Sequence, residues 1–281
     1  MAIADPIDEA RLRKALLREK APWANVRVVD EAVSTNLDLV AQARDGAPSG
    51  SVLIANFQSA GRGRQGRTWS APPGTGVAVS VLLHPVDVEP VRWGWLPLLA
   101  GLGVAEGLFR YPGVPAWLKW PNDVLIGDGK VAGILAERID SPRGPAVVIG
   151  IGINVHSEAG DLPVPSATSL ALQAGAAALG GPLSRTALGG SLSRTEVVRS
   201  CLTALGERYL TWQRGETDEE LASSYRARCA TIGRRVRVEL VRGAPMEGVA
   251  TGVDSGGRLV VRTDSRVQIV GAGDVIHLRS V

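Results

Sequence analysis

Hydrophobic residues recur with two different periods along the first 230 positions, which predicts a mixture of strands and helices. Four apolar runs have the length of buried strands, at 51–57, 77–83, 131–137 and 146–155. Segments with helical spacing lie at 7–20, at about 36–44 and at about 93–110. The pattern therefore predicts an α+β fold.

A further helix is predicted late in this region. Ser193 is followed three residues later by Glu196, the pattern of a capping box, which predicts a helix from there to about Arg214. The tetrapeptide Leu-Ser-Arg-Thr occurs at both 183–186 and 192–195, and this spacing favours a local duplication over a structural repeat. We interpret residues 180–192 as a loop.

From residue 231 onward the pattern changes to short alternating strands. Such strands are predicted at 235–240, 247–253, 259–263 and 266–270, and a turn at 254–257 separates two of them. This arrangement is typical of a small β-barrel. The change of period predicts two domains, residues 1–230 and residues 231–281.

Composition narrows the functional classes. The chain has 281 residues, of which 45% are hydrophobic, enough for a sizeable core, and its net charge of +3 is too small to indicate a nucleic-acid surface. Cys201 and Cys229 lack the spacing of a disulfide framework or a zinc site. The charged N-terminus excludes a signal peptide, and prolines interrupt the longest uncharged stretch, 162–184. We therefore expect a cytoplasmic protein that binds no nucleic acid and enters no membrane.

Lysine is rare in this chain. Only Lys14, Lys20, Lys119 and Lys130 are present among 31 basic residues, and the rest are arginine. A retained lysine indicates a role for a compact ammonium on a flexible stem, although two neighbouring surface lysines can also arise by chance.

Residues 61–67, Gly-Arg-Gly-Arg-Gln-Gly-Arg, form the most polar stretch of the first half. Glycines let backbone N–H groups approach a ligand, and arginines suit phosphate and carboxylate, so we interpret this stretch as an anion-binding loop. The string also fits a dinucleotide-binding fingerprint, but Pro72 and Pro73 follow where that fingerprint needs a helix. A solvated basic turn is the remaining alternative.

A second polar cluster, Lys-Trp-Pro-Asn-Asp at 119–123, joins a cation, a ring, an amide and a carboxylate. Lys130 follows in Gly-Lys-Val-Ala-Gly-Ile-Leu at 129–135, which we interpret as a turn that enters a strand. If the two strands form a hairpin, Lys119 and Lys130 face one pocket. A solvated hairpin tip is the alternative for residues 127–129.

Two weaker segments have a sufficient structural explanation. Ser34, before Thr35 and Asn36, is placed to cap a helix, and Asn154 could satisfy its own backbone at a strand end. We interpret His84, His156 and His277 as structural because they are isolated in the sequence.

Taken together and in this order, these motifs resemble those of biotin protein ligases. The likeness covers about residues 25–175, and Gln58, Trp69 and Gly152–Asn154 add to it. It implies a catalytic domain similar to that of class II aminoacyl-tRNA synthetases, a mixed sheet flanked by helices, followed by an SH3-like barrel. Members that repress transcription carry an N-terminal helix-turn-helix domain, for which the residues before the first motif leave no room, so no repressor function is expected.

The resemblance implies activation of biotin by ATP with Mg²⁺, and transfer to a lysine of the biotin carboxyl carrier domain of an acyl-CoA carboxylase. It assigns to biotin Ser34, Thr35, Asn36, Gln58, Gly61, Arg62, Gly63, Arg64, Lys130 and Gly133. It assigns to ATP and the adenylate Arg62, Arg64, Arg67, Trp69, Lys119, Asn122 and Asn154. Lys130, Arg64 and Asp123 are the expected catalytic residues, and Asp123 is either a metal ligand or a base for the incoming amine.

Two rival functions remain. A ligase for lipoate or octanoate shares the broader fold. A non-catalytic nucleic-acid module could use residues 61–67, called the arginine loop below, and the barrel on phosphates. The sequence leaves the oligomeric state and the identity of the acceptor open.

Overall fold

The computed structural model describes residues 5–178, 192–241 and 243–278. Its helices are α1 (Glu9–Leu16), α2 (Thr35–Arg44), α3 (Leu96–Arg110), α4 (Leu170–Ala178), α5 (Arg194–Gln213) and α6 (Asp218–Arg226). Its first sheet contains β1 (Asn25–Ala32), β2 (Ser51–Gln58), β3 (Gly76–Leu83), β4 (Trp117–Lys119), β5 (Asp123–Ile126), β6 (Gly129–Ser141) and β7 (Gly144–Asn154). Its second sheet contains β8 (Arg235–Leu240), β9 (Met246–Val253), β10 (Leu259–Arg262), β11 (Val267–Val270) and β12 (Gly273–His277).

The first sheet is mixed and has the strand order β1-β2-β3-β7-β6-β5-β4. Strands β1 and β2 pair in parallel, and the other neighbours pair antiparallel. The second sheet is antiparallel, in the order β11-β10-β9-β8-β12. These sheets and the helices around them confirm the α+β fold.

The central strands are buried on both faces, because helices cover each side of the first sheet. Alternate residues of β2 divide between two cores: Val52 and Ile54 belong to the larger one, and Leu53 packs with Leu39 of α2 in the smaller one. All eight residues of β3 are buried. This two-sided burial explains why these strands are continuous apolar runs in the sequence.

Helices α3 and α5 pack closely because α3 has glycines at the contact. A Cβ atom at Gly103 would lie 2.7 Å from the Leu205 Cα, and one at Gly107 would lie 2.4 Å from the Cys201 Cα. The two glycines are four residues apart and so lie on one face of the helix. The neighbours at both contacts are backbone atoms, which cannot move aside as a flexible side chain can.

We expect Gly107→Ala to destabilise the fold, because the added methyl group forces α5 away from α3. Overpacking of this kind costs about 1–3 kcal/mol, or several degrees in the unfolding midpoint for a chain of this size. Thermal unfolding measures the effect. Gly160→Ala is the matched control, since nothing lies within 4 Å of a Cβ at Gly160. Equal midpoints for the two variants would contradict this account.

Several expectations need correction. Helix α1 begins at Glu9 and ends at Leu16, shorter than predicted, because Asp8 caps its start by accepting a hydrogen bond from the Arg11 N–H. The sequence did not predict β1, β4 and β12, whereas the hairpin considered around residues 127–129 forms between β5 and β6. The capping box at the start of α5 is only half formed: Ser193 caps the helix, but its own N–H donates to the Tyr111 hydroxyl rather than to Glu196.

The predicted loop at 180–192 lies outside the described residues except for Leu192, and so does the first Leu-Ser-Arg-Thr copy. The second copy leads into α5. No helix in the described part of the chain combines the length and apolar character needed to cross a membrane.

Candidate active site

A cavity of about 350 Å³ lies beside the central strands of the first sheet. Its walls come from the start of α2, the end of β2, the arginine loop, β6, β7 and residues 163–167. Most of the candidate residues line it: Ser34, Thr35, Asn36, Gln58, Arg62, Gly63, Arg64, Arg67, Trp69, Asn122, Lys130, Gly133 and Asn154. Gly61, Lys119 and Asp123 are not among its lining residues.

One end of the cavity carries amide and hydroxyl groups. Gln58 Oε1 accepts hydrogen bonds from both the Thr35 N–H, at 2.8 Å, and the Thr35 hydroxyl, at 3.0 Å. The prediction that Ser34 caps α2 through its side chain is wrong, because Ser34 occupies the cap position but makes no side-chain cap hydrogen bond. Gln58 supplies an acceptor for the first turn instead, which ties the start of α2 to β2.

Ser80 and Glu137 hold the Asn36 side chain at this end of the cavity. Neither residue was identified from the sequence. The Ser80 hydroxyl donates to Asn36 Oδ1 at 2.6 Å, and Asn36 Nδ2 donates to Glu137 Oε2 at 2.8 Å. Arg62 also approaches Glu137, at 3.5 Å. The alternation of side chains along a strand could have identified Glu137. It lies two residues beyond Leu135 and four beyond Gly133, which line the cavity, so it shares their face of β6.

Lys130 lines the cavity from the start of β6. Its Nζ lies 2.6 Å from Asp123 Oδ1 and 5.8 Å from the Trp69 ring centroid. Strand β5 pairs with β6, and a register shift between Val124 and Leu125 sets Lys130 opposite Leu125. The Lys130 N–H donates to the Ser166 carbonyl, which holds residues 163–167 beside the pocket.

Lys119 is the last residue of β4 and pairs with Asp123 of β5. Burial lowers its pKa, while Asp123 raises it and Lys130 lowers it further, so these three groups are close neighbours. Burial, Lys119 and Arg234 lower the pKa of His277 to about 4. His277 is therefore neutral near pH 7 and hydrogen-bonds Thr231, in keeping with a structural role.

Trp69 forms part of the cavity wall because glycines make space for it. A Cβ atom at Gly152 would lie 2.2 Å from Trp69 Cε2, and one at Gly133 would lie 3.1 Å from Trp69 Cζ3. Neighbouring strands β6 and β7 place these glycines opposite each other. The indole ring therefore packs directly against the sheet backbone, with the Lys130 ammonium nearby.

The arginine loop is a tight turn. Its two sides are joined by a bridge between Arg62 and Thr68, and the Gly63 N–H donates to the Arg67 carbonyl at 2.7 Å. Arg64 Nη1 donates to Asn122 Oδ1 at 3.1 Å, and burial lowers the pKa of this guanidinium. Arginine remains charged at neutral pH despite such a shift.

The two asparagines on the walls are held by backbone groups. Asn122 Nδ2 donates to the Ile134 carbonyl at 3.0 Å, and Asn154 Nδ2 donates to the Thr168 carbonyl at 2.9 Å. Asn154 therefore bonds a neighbouring segment rather than its own backbone. No group of three or more His, Cys, Asp or Glu side chains that could hold a metal occurs in the described ranges.

The cavity combines a neutral polar end with a cationic one. Thr35, Asn36 and Gln58 offer hydrogen bonds to an uncharged polar group, while Lys130, Arg64 and Arg67 offer positive charge to anionic oxygens. A small carboxylic acid and the phosphates of a nucleotide are the ligands that such a combination suits.

Comparison with known proteins agrees with this chemistry. Residues 34–154 match the model of the biotin/lipoate A/B protein ligase family, and residues 231–278 match the biotin protein ligase C-terminal domain. The chain is 42% identical over 278 residues to the biotin–[acetyl-CoA-carboxylase] ligase of Mycobacterium tuberculosis, covering 98% of this chain and 97% of that protein. It is 32% identical to the Paracoccus denitrificans ligase of the same name, covering 86% and 96%.

Among solved structures, the chain resembles a biotin protein ligase from Aquifex aeolicus in complex with biotin and ATP. The TM-score is 0.72 at 27% sequence identity, and the match covers 92% of this chain and 100% of the other.

Proposed function

The chain belongs to the biotin protein ligase family and is a carbon–nitrogen ligase, and we propose that its cavity activates biotin with ATP before transfer to a protein lysine. In the first half-reaction a biotin carboxylate oxygen attacks the α-phosphorus, forming biotinyl-5′-AMP and releasing pyrophosphate. In the second, a lysine amine attacks the acyl carbon, loses a proton, and releases AMP.

One observation carries this proposal: Lys130 lines the same cavity as the hydrogen-bonding groups of Thr35, Asn36 and Gln58 and the arginine loop. A carboxylate that attacks a polyanion needs fixed positive charge at the bond that forms, and Lys130 supplies it. Asp123, 2.6 Å away, orients the ammonium group.

The neutral end of the cavity suits the uncharged ureido head of biotin. Hydroxyl and amide groups of Ser34, Thr35 and Gln58 would bind its polar atoms, with Asn36 held by Ser80 and Glu137. The backbone of the turn and of β6 would complete this end, through Gly61, Arg62, Gly63 and Gly133.

The opposite end suits the nucleotide. Arg64 and Arg67 would contact phosphate oxygens, and Trp69 would pack against the adenine. Arg62, which lies 3.5 Å from Glu137, would exchange that carboxylate for a phosphate oxygen when the nucleotide binds. Asn122 and Asn154 line the same walls. Lys119 pairs with Asp123 and does not line the cavity. It would therefore act on the nucleotide through its charge rather than by direct contact.

Mg²⁺ fits this site only in part. Magnesium is commonly bound through one or two carboxylates together with substrate phosphates, and Asp123 is the nearby carboxylate that could contribute. When bound, the ion would neutralise phosphate charge. Asp123 is equally placed to accept the proton of an incoming amine, and both roles are compatible with its contact to Lys130.

The proposed acceptor is the biotin carboxyl carrier domain of an acyl-CoA carboxylase, as the names of the Mycobacterium and Paracoccus relatives suggest. We place the reaction in the cytoplasm, since Cys201 and Cys229 are buried free thiols. We assign residues 1–230 to a class II synthetase-like catalytic domain and residues 231–281 to an SH3-like barrel, supported by the two-sheet architecture.

Pyrophosphate exchange into ATP tests the first half-reaction. We expect the purified protein with ATP and Mg²⁺ to exchange pyrophosphate when biotin is present and to show only background exchange with lipoate or octanoate. The physical reason is the neutral hydrogen-bonding end of the cavity, which a plain alkyl chain leaves unpaired. Exchange driven by octanoate as strongly as by biotin would instead identify the chain as a ligase for another acid.

A further inference from the structure

The arginine loop contacts the second sheet as well as the cavity. Arg64 donates from Nη1 and Nη2 to the Gly273 carbonyl, at 3.3 and 3.4 Å. Arg67 Nη2 lies 2.9 Å from Asp274 Oδ1 and 2.8 Å from Oδ2, and Arg64 Nη1 lies 3.7 Å from Asp274 Oδ1. Two residues at the start of β12 thus contact both cations of the loop tip.

Other contacts hold these side chains in part: Arg67 Nε donates to the Arg64 carbonyl at 3.2 Å within the loop, and Arg64 Nη1 donates to Asn122. The contacts with β12 hold the outer ends of both guanidinium groups, at Arg64 Nη2 and Arg67 Nη2. The two guanidinium groups also repel each other: the Arg67 charge lowers the pKa of Arg64, and the Asp274 charge raises it. Asp274 offsets that repulsion from a position that does not line the cavity.

Asp274 is itself held by the sheet. Strand β12 pairs antiparallel with β8, with Asp274 opposite Glu239, so its backbone position is fixed by the ladder. Its side chain is 27% exposed, which partly shields the contact with Arg67 from solvent.

From these contacts we propose that Asp274 is a positioning residue for the ligase: together with the Gly273 carbonyl it holds Arg64 and Arg67 over the cavity and so keeps the activated intermediate enclosed. This inference rests on the proposed adenylate pathway. A mixed anhydride is lost to water if its pocket opens, so the held loop matters most between the two half-reactions.

The test separates formation of biotinyl-5′-AMP from its release. The full-length parent, Asp274→Asn and Asp264→Asn are each given biotin, ATP and Mg²⁺ in a single turnover, and bound and free adenylate are separated over time. Asp264 is the matched control, an exposed carboxylate of the second sheet in the turn before β11. Both substitutions remove one negative charge, and asparagine has nearly the same shape as aspartate.

We expect Asp274→Asn to release adenylate about fivefold faster, the scale of a partly exposed ion pair, while its formation rate changes less than twofold. Raising the salt concentration should increase the rate of adenylate release from the parent protein until it approaches the rate of Asp274→Asn, because salt screens the ion pair that the substitution removes. The release rate of Asp274→Asn itself should change little. The Asp264→Asn protein should behave as the parent.

Several results would overturn the proposal: unchanged release by Asp274→Asn, equal release by Asp264→Asn, or a loss of formation and thermal stability together, which would indicate a merely structural role. If the parent itself forms no adenylate, the proposed function fails rather than the role of Asp274.

Discussion

Lys130→Ala is expected to lose about 10²- to 10³-fold in the rate of adenylate formation, or about 3 to 4 kcal/mol, while the protein stays folded. Attack of the carboxylate on the α-phosphorus adds negative charge to nonbridging oxygens in the transition state. The ammonium of Lys130, which lines the cavity, is held by Asp123 at 2.6 Å and lies 5.8 Å from the Trp69 ring centroid. Alanine removes that preorganised charge and puts nothing in its place.

Lys130→Arg should recover little of this loss. A guanidinium is larger and planar, and it must re-aim its plane as charge moves from the carboxylate to the phosphate. Space is also limited, because a Cβ at Gly133 would already lie 3.2 Å from Lys130 Nζ. The rate is measured by pyrophosphate exchange, with Lys14→Ala as control because Lys14 is exposed on α1.

Two outcomes argue against this role. Near-normal exchange by Lys130→Arg would show that any cation suffices. If Lys130→Ala forms adenylate normally and fails only when given preformed biotinyl-5′-AMP and acceptor, Lys130 acts in the second half-reaction instead.

In the first sheet, the strands that stand out most clearly in the sequence are those buried on both faces. Strands β2, β3 and β7 are long apolar runs because helices pack on each side of them. Such a run can be recognised in the sequence without knowing which segments pack against it. Strand β1, at the edge of the sheet, is partly exposed and carries charged residues. Strands β4 and β5 are only three and four residues long. In these three strands the hydrophobic pattern is too weak or too short to predict a strand from the sequence.

The candidate residues converge in space for a simple reason. Strands β6 and β7 are neighbours, β7 pairs with β3, and β3 with β2, so motifs at their ends meet at one cavity. Each candidate residue can be identified from a short motif in the sequence, and the order of the strands brings these motifs together in the fold.

Contacts between distant segments could not be predicted in this way. Arg62 approaches Glu137, and Arg67 binds Asp274, 207 residues farther along the chain. Arg194, in the first turn of α5, is fully buried and donates to Asn56 and Gly76 backbone oxygens. Each of these pairs depends on how elements pack, and neither partner has a local pattern that indicates the other.

Gly150→Ala and Gly152→Ala are expected to damage opposite ends of the cavity. The two glycines lie two residues apart on β7 and face the same side of the sheet. A Cβ at position 150 would lie 2.2 Å from Asn36 Oδ1, at the proposed biotin end. A Cβ at position 152 would lie 2.2 Å from Trp69 Cε2, at the proposed adenine end. Neither contact is possible, so the neighbouring side chain must move.

In Gly150→Ala the Asn36 amide, which is held by Ser80 and Glu137, is displaced and loses these hydrogen bonds. The damage is at the proposed biotin end, and Trp69 stays in place. Displacing Trp69 removes the surface proposed for the adenine and disturbs the position of Lys130. Overpacking by one methyl group costs about 1–3 kcal/mol, equivalent to about 5- to 150-fold in an apparent binding constant. We therefore expect Gly150→Ala to raise KM for biotin, and Gly152→Ala to raise KM for ATP and also lower kcat.

Steady-state exchange rates measured with each substrate varied in turn distinguish the two effects, and Gly160→Ala again serves as the control for an added methyl group in open space. Thermal unfolding of all three variants separates damage to the site from damage to the fold. If both active-site variants raise the two KM values equally, the division of the cavity into a biotin end at Asn36 and an adenine end at Trp69 is wrong.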